Sequence, residues 1–360
     1  MRAESTTRTR RVDPADRTPT QPVEPRPNLP RMTDAPTVTF PGLEDSPVAP
    51  CGVGTWAWGD SSTWGMGTTD RSYTEATIAE AFDASLEAGA TLFDTAEVYG
   101  KGESERIIGR LLAARPEARE RIVLATKFMP MPYKLDVVRE MRRSLEGSLG
   151  RLGVDHVDLY QIHGPISLRS KAALAEALAQ VQHAGLTRAV GVSNYSAKEM
   201  TSIHGELAKR GVPLASNQIE LSLLRRTPET NGLLAACARL GVVPLAYSPI
   251  GQGRLTGKYS ASNPVPSSRT FSDHPMATVD RVVDVLRSVA ETNDRTPAQV
   301  ALRWTIEKGS VPIPGAKNAE QARQNAGALG WSLSAEDLAK LDAVALDAVR
   351  SISNRFWQHG

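Results

Sequence analysis

From Thr37 onward, short apolar runs alternate with longer segments of mixed polarity. The apolar runs are "PCGVGTW", "TLFDTA", "RIVLATKF", "VDLYQIH", "TRAVGVSN", "LASNQIEL", "VVPLAYSP" and "VPIPGA". Each of the first seven leads into a longer segment, and most of these space their apolar residues as an amphipathic helix does. The predicted helices are Thr74 to Ala88, Ser104 to Ala114, Leu135 to Gly150, Ser170 to Ala184, Ala197 to Lys209 and Pro228 to Leu240, with a helix-like segment from Ser334 to Val349 near the end. Gly89, Gly185, Gly211 and Gly241 stand where helices should stop, and Ser196 and Thr227 where they should start.

Strands interleaved with helices imply parallel pairing through crossovers. The layouts to weigh are a closed eight-stranded barrel and an open doubly wound sheet. The even repeat of units favours the barrel, and so does the concentration of unusual polar residues at strand C-terminal ends. No good glycine motif for a doubly wound nucleotide domain competes with it: "GVGTWA" at Gly52 is not followed by a helix, and "GKGESE" at Gly100 ends in Glu105. The expected fold is therefore α/β, a (β/α)8 TIM barrel. After its seventh strand comes the long loop "IGQGRLTGKYSASNPVPSSRTFSDHPMA", of a length that points to function. Before the first strand, "TVTFPGLEDSPVAP" is expected to form a small hairpin plugging the barrel bottom.

Composition adds boundaries. The chain has 360 residues, 41% hydrophobic, enough for a sizeable core. A formal net charge of +2 gives no field for nucleic acid, and no apolar run is long enough to cross a bilayer. The two cysteines, Cys51 and Cys237, share no metal-ligand spacing, so no metal is expected; they read as reduced, buried thiols. Residues 1–36 are rich in Arg, Thr and Pro and nearly free of large apolar residues. They are expected to form a disordered tail ahead of one barrel domain, residues 37–360. The alternative is an organelle transit peptide, against which Glu4, Asp13, Asp16, Glu24 and Asp34 count. Localisation is accordingly expected to be cytoplasmic, or plastid if that segment is a targeting signal.

The candidate chemistry sits at successive strand ends: Asp94 with Tyr99 after the second run, Lys127 after the third, His163 after the fourth. Singly, each has an ordinary explanation: a turn-capping Asp, a rim Tyr, a snorkelling Lys, a structural His. Together they form a coherent set. A phenol titrates near about 10, an adjacent ammonium favours its phenolate, a carboxylate holds that ammonium, and a neutral His donates to a substrate oxygen. Such a set protonates the oxyanion formed when hydride reaches a carbonyl carbon.

These residues, in "FDTAEVYG", "ATKF" and "QIHGP", resemble the Asp, Tyr, Lys, His tetrad of the aldo-keto reductases. The resemblance runs from about Gly52 to about Leu341, and "GTWAWGDSSTWG" and "PIPGAKNAEQARQNAGALGW" look most like the long-loop, plastid-type and bacterial branch. It implies reduction of a small aldehyde or ketone by NADPH, with NADH as a second option, bound at the barrel rim. It implies that Ser193, Asn194 and Gln218 hold the nicotinamide carboxamide and that Tyr247 stacks on its ring. Ser248, Ile250, Gln252, Gly253, Leu255 and Lys258 are implied to cover the pyrophosphate, and Gly315, Lys317, Gln321, Gln324 and Asn325 to surround the adenosine. Gln321 departs from the pattern: many relatives carry Arg there, and Gln cannot grip a 2′-phosphate with charge. Trp56, Trp58, Trp64 and Phe128, with Met129 and Met131, are candidate pocket walls, and Phe356 and Trp357 in the tail would add another.

Two alternatives stand beside this reading. One is a Schiff-base barrel using Lys127 as nucleophile; the other is a cofactor-binding regulatory member that does not turn over. The partner expected is a small carbonyl compound, with no nucleic acid or membrane, and the chain is expected to be a monomer or a homo-oligomer.

Overall fold

The eight apolar runs become eight parallel strands, each hydrogen-bonded to the next in chain order. They are β1 (Val53–Gly54), β2 (Leu92–Asp94), β3 (Val123–Phe128), β4 (Val157–Ile162), β5 (Thr187–Ser193), β6 (Leu214–Glu220), β7 (Val243–Tyr247) and β8 (Val311–Pro312). Gly52 donates to the Pro312 carbonyl, Gly54 donates to that of Pro314, and Gly54 bridges Gly315, which closes the ring. The computed structural model describes residues 36–347 and 356–360; the expected disordered tail, but for Pro36, lies outside the described residues. No helix among the described residues is long and apolar enough to cross a membrane.

Alternation along each strand sorts side chains between the barrel interior and the helical ring. Near the bottom the interior is apolar, with Leu92, Val123, Leu159, Ala189, Leu245 and Val311 packed in one cluster. Phe40, Leu43 and Val48 join that cluster from below, where Val38 and Val48 pair in an antiparallel bridge, so the expected plug is present. Nearer the top the interior turns polar: Asp94, Lys127, Gln161, Ser216 and Gln218 are all buried. Gly191 makes room for this layer, since a Cβ there would stand 2.2 Å from Ser216 Oγ and 3.0 Å from Gln161 Cγ.

The predicted helices form the outer ring at Glu75–Glu87, Glu103–Ala114, Val137–Leu152, Lys171–His183 and Ala197–Ala208. Their inward stripes are apolar; Glu103–Ala114, for example, buries Ile107, Ile108, Leu111 and Leu112. Ser196 caps its helix in a reciprocal box with Glu199. The segment expected as one helix from Pro228 to Leu240 is two, Thr227–Thr230 and Leu233–Leu240. Asn231 Oδ1 accepts from Leu233 N, and Gly232 adopts a left-handed φ of 81°, which no continuous helix tolerates. The helix expected from Ser334 to Val349 runs Ala335–Val344, after which Ala345 is extended; residues 348–349 lie outside the described residues. Two helices not singled out in the sequence, Met276–Thr292 and Pro297–Glu307, lead from the long loop to β8.

Candidate active site

Successive strand ends do bring the four candidates together. Asp94 closes β2, Lys127 is the penultimate residue of β3, and His163 follows β4, while Tyr99 returns over them on a short 3-10 turn. Lys127 Nζ donates to Asp94 Oδ2 at 2.5 Å, to the Thr95 carbonyl at 2.8 Å and to Tyr99 Oη at 3.2 Å. An ammonium has three N–H donors, and all three are committed. The other Asp94 oxygen accepts from Gln161 at 3.1 Å and from Gln218 at 2.9 Å. The Asp94–Lys127 pair is thus buried and held through both carboxylate oxygens.

The electrostatics follow from burial. For Lys127, burial alone would favour the neutral amine; the Asp94 charge, Tyr99 and the hydrogen bonds to both outweigh it and raise its pKa. A lysine so held is a poor nucleophile, which argues against the Schiff-base alternative. For Tyr99 the sequence-based expectation of a lowered phenol is corrected. Burial raises it and outweighs the opposing Lys127 charge, with Asp94 adding to the rise, so the resting phenol keeps its proton. His163 is pushed well below its ordinary value, first by burial and then by Lys127, and is a neutral imidazole. Its Nδ1 is buried without a partner. A buried bare lone pair is less costly than a buried unpaired N–H, so we assign the proton to Nε2, leaving that atom a donor. The Tyr99 and His163 rings meet edge to face at 5.5 Å.

A cavity of about 860 Å3 opens beside this cluster. Ser193, Asn194, Gln218 and Tyr247 line its centre; Ser248, Ile250, Gln252, Gly253 and Lys258 line the side under the long loop; and Gly315, Lys317, Gln321, Gln324 and Asn325 line the far end. Leu255 is the exception, buried in the core between barrel and helices. Trp56 and Trp64 are cavity walls, but Trp58 and Phe128 are not. Trp58 is fully buried, its indole N–H on the Ala316 carbonyl, and Phe128 lies in the outer core beneath Lys134. Both positions point into the helical layer rather than the barrel mouth.

Three features escaped the sequence. Phe271 packs on Trp56 and on Tyr247, and Arg269 stacks on Trp64 and donates to Tyr259 Oη, so the long loop crosses the mouth toward the β1 loop. Ser268, which donates to the Thr63 carbonyl, fastens that crossing. Gln161 steadies Asp94, a role legible only from its register opposite Lys127. Lys317 is also less free than its sequence position suggests: Nζ donates to the Trp64 carbonyl at 2.9 Å, lies 3.7 Å from Asp70 and sits over the Tyr73 ring. Gln321 accepts from the Lys317 backbone.

The donor set fits a dinucleotide. Gln252 Nε2, Arg269 Nε and Trp64 Nε1 are buried N–H groups without partners, which an acceptor-rich ligand would satisfy. Arg269, Lys258 and Lys317 supply positive charge at the same cavity.

The chain is similar to known proteins along most of its length. The Aldo/keto reductase family model matches residues 50–346. A chloroplastic pyridoxal reductase of Arabidopsis thaliana is 36% identical over 324 residues, 86% of this chain and 87% of its own. A 6-dehydroglucose reductase of Novosphingobium aromaticivorans is 34% identical over 278 residues, 74% and 85% of the two chains. Among solved structures, an aldo-keto reductase of Klebsiella pneumoniae in complex with NADPH superimposes with a TM-score of 0.68 at 28% identity, covering 88% of this chain and 97% of that one.

Proposed function

We propose that this chain, which belongs to the aldo/keto reductase family, reduces aldehydes or ketones to alcohols with NADPH, Tyr99 delivering the proton. The observation that carries this reading is the Lys127 ammonium, within hydrogen-bond reach of both Asp94 and Tyr99 beside a neutral His163. Bound in the cavity, the reduced nicotinamide supplies the hydride. The residues of the chain do the rest. Tyr99 Oη gives its proton to the carbonyl oxygen as negative charge develops there. The phenolate left behind faces Lys127 Nζ, whose charge Asp94 keeps in place. His163 Nε2 donates to the same substrate oxygen and orients the carbonyl. Trp56 forms an aromatic wall suited to a flat substrate.

Ser193, Asn194, Gln218 and Tyr247 would hold the nicotinamide end, the long loop the pyrophosphate, and the β8 loop the adenosine. Gln218 spends its amide nitrogen on Asp94, which leaves its carbonyl oxygen as an acceptor. Arg269, Lys258 and Lys317 support a preference for NADPH over NADH.

The test is a panel of aldehydes and ketones, pyridoxal included because of the Arabidopsis relative, followed by loss of NADPH absorbance. Turnover of at least one carbonyl class, abolished in Tyr99→Phe, is the expected result. Tight NADPH binding with no turnover across the panel would favour the regulatory alternative instead.

A further inference from the structure

The segment Phe356–Gly360 comes back to the barrel mouth and is fastened there by six residues. Trp357 meets His163 edge to face at 5.5 Å. The His359 backbone N–H donates to the Asn194 carbonyl at 3.2 Å, and its Nδ1 lies 3.0 Å from Glu199. Arg225 donates to the Gly360 carbonyl. Between these anchors Gln358 is buried, donating through Nε2 both to the Glu220 carboxylate and to Tyr247 Oη, the latter at 2.9 Å.

The chemistry of Gln358 fixes a direction. A carboxylate only accepts, so the amide nitrogen must face Glu220, and the same nitrogen donates to Tyr247. Burial and the Glu220 charge raise the Tyr247 pKa, so its hydroxyl keeps one proton to give. That proton goes to Asn194 Oδ1, 2.9 Å away. Asn194 therefore points its amide nitrogen the other way, to Ser193 Oγ at 3.0 Å, and Ser193 in turn donates to the Gln218 carbonyl at 2.9 Å. Every hydroxyl in this relay accepts once and donates once. Asn194 also holds a left-handed backbone, φ 62°, and its amide nitrogen has a second acceptor in the His163 carbonyl at 3.4 Å.

We propose that Gln358 is a positioning residue for the nicotinamide end of the cofactor site, setting through Tyr247 which end of the Asn194 amide faces the cavity. This rests on the reading of Asn194 as a carboxamide partner. Without Gln358 the Tyr247 hydroxyl loses its donor and can turn its proton toward the Glu220 carboxylate, which leaves the Asn194 amide held from its nitrogen end alone, by Ser193 Oγ and the longer contact to the His163 carbonyl. The adenosine end, at the β8 loop, touches none of the relay.

The experiment compares two probes on the full chain: NADPH, and adenosine 2′,5′-bisphosphate, which carries the adenosine end without nicotinamide. Gln358→Met keeps the length of the side chain and removes its hydrogen bonds; Tyr247→Phe keeps the ring and breaks the relay one step later. Each is expected to weaken NADPH binding about tenfold, the loss of one to two hydrogen bonds, while the fragment binds within about twofold of wild type. The double variant should be no worse than Tyr247→Phe alone, because both cut one chain. Equal weakening of both probes, unchanged NADPH affinity in Gln358→Met, or fully additive losses would overturn the proposal. Should Gln358→Met not fold, unchanged NADPH affinity in Tyr247→Phe overturns it alone. Wild type binding neither probe would sink the cofactor reading itself.

Discussion

Lys127 Nζ stands 2.5 Å from Asp94 Oδ2 with the two side chains 0% and 2% exposed, a buried ion pair at the centre of the site. Breaking such a pair is more damaging than deleting it, because the survivor is an uncompensated charge. Asp94→Ala should therefore destabilise the fold by about 3–5 kcal/mol, with Gln161 and Gln218 left without their acceptor as well. Adding Lys127→Met should restore much of that stability and none of the activity. Urea unfolding of the single and double variants measures this; a double variant less stable than Asp94→Ala would contradict it.

Tyr99→Phe removes the hydroxyl proposed as proton donor and leaves the ring that packs on Trp56 and His163. Carbonyl reduction should fall by at least about 100-fold, with NADPH affinity unchanged. Retention of most of the wild-type rate would remove Tyr99 from the chemistry.

Protonation sets a stability window. His163 has a folded pKa depressed below its ordinary 6.5, by burial and then by Lys127. Its unfolded form binds a proton first, so its contribution is full above pH 6.5 and is lost as pH falls toward the folded value. Tyr99 and Lys127 are both raised, from 10.0 and 10.5, so their contributions hold below those values and fade as pH rises through the folded ones. Melting temperature should therefore be highest between these limits. In His163→Asn the acid-side decline should start at lower pH, the difference from wild type growing by at most about 1.4 kcal/mol per pH unit. Parallel curves from pH 7 to 5 would mean that His163 takes up its proton alike in the folded and unfolded chains, and that its pKa is not depressed.

Much of this was legible in the sequence because its determinants are local. Alternating apolar runs and helical spacing give the barrel, and Asp94, Lys127 and His163 each lie at a strand end where register does the assembly. What was not legible depends on direction and on long separations. Trp56 and Trp58 share a loop two residues apart, yet one faces the cavity and the other the Ala316 carbonyl, which no pattern in "GTWAWG" distinguishes. Arg269 and Phe271 reach the site from a loop without periodicity. Gln358 meets Tyr247 across 111 positions. The net rise at Tyr99 turns on how much burial offsets a neighbouring charge, a balance that only packing decides.

The two tryptophans give a direct contrast. Trp58→Ala empties a fully buried site and should destabilise by about 3–5 kcal/mol, leaving relative rates across a carbonyl panel unchanged. Trp56→Ala should alter the order of preferred substrates with a smaller loss of stability, since its ring is part of the cavity wall. Thermal melts and the panel read both; a changed substrate order in Trp58→Ala would return that residue to the pocket.

Cofactor discrimination brings opposing terms to one spot. Burial lowers the Lys317 pKa, Asp70 works against it, and the charges of Arg269 and Lys258 press it down further. Crowded cations in a cavity wall are stabilised by a bound anion, and a phosphate monoester carries about two charges near neutral pH. NADPH should therefore be preferred over NADH, less sharply than in relatives with Arg in place of Gln321. Lys317→Ala should erase most of the preference by weakening NADPH and sparing NADH. Asp70→Asn should widen it, because the carboxylate 3.7 Å from Lys317 Nζ competes with the phosphate. Gln321→Arg should widen it too, and added salt should narrow it in every variant. Catalytic efficiency with both cofactors is the measurement. If Lys317→Ala weakens NADH as much as NADPH, the bond from Lys317 to the Trp64 carbonyl is its main role, one of holding the β1 loop over the site, and the 2′-phosphate must rest on Arg269 and Lys258.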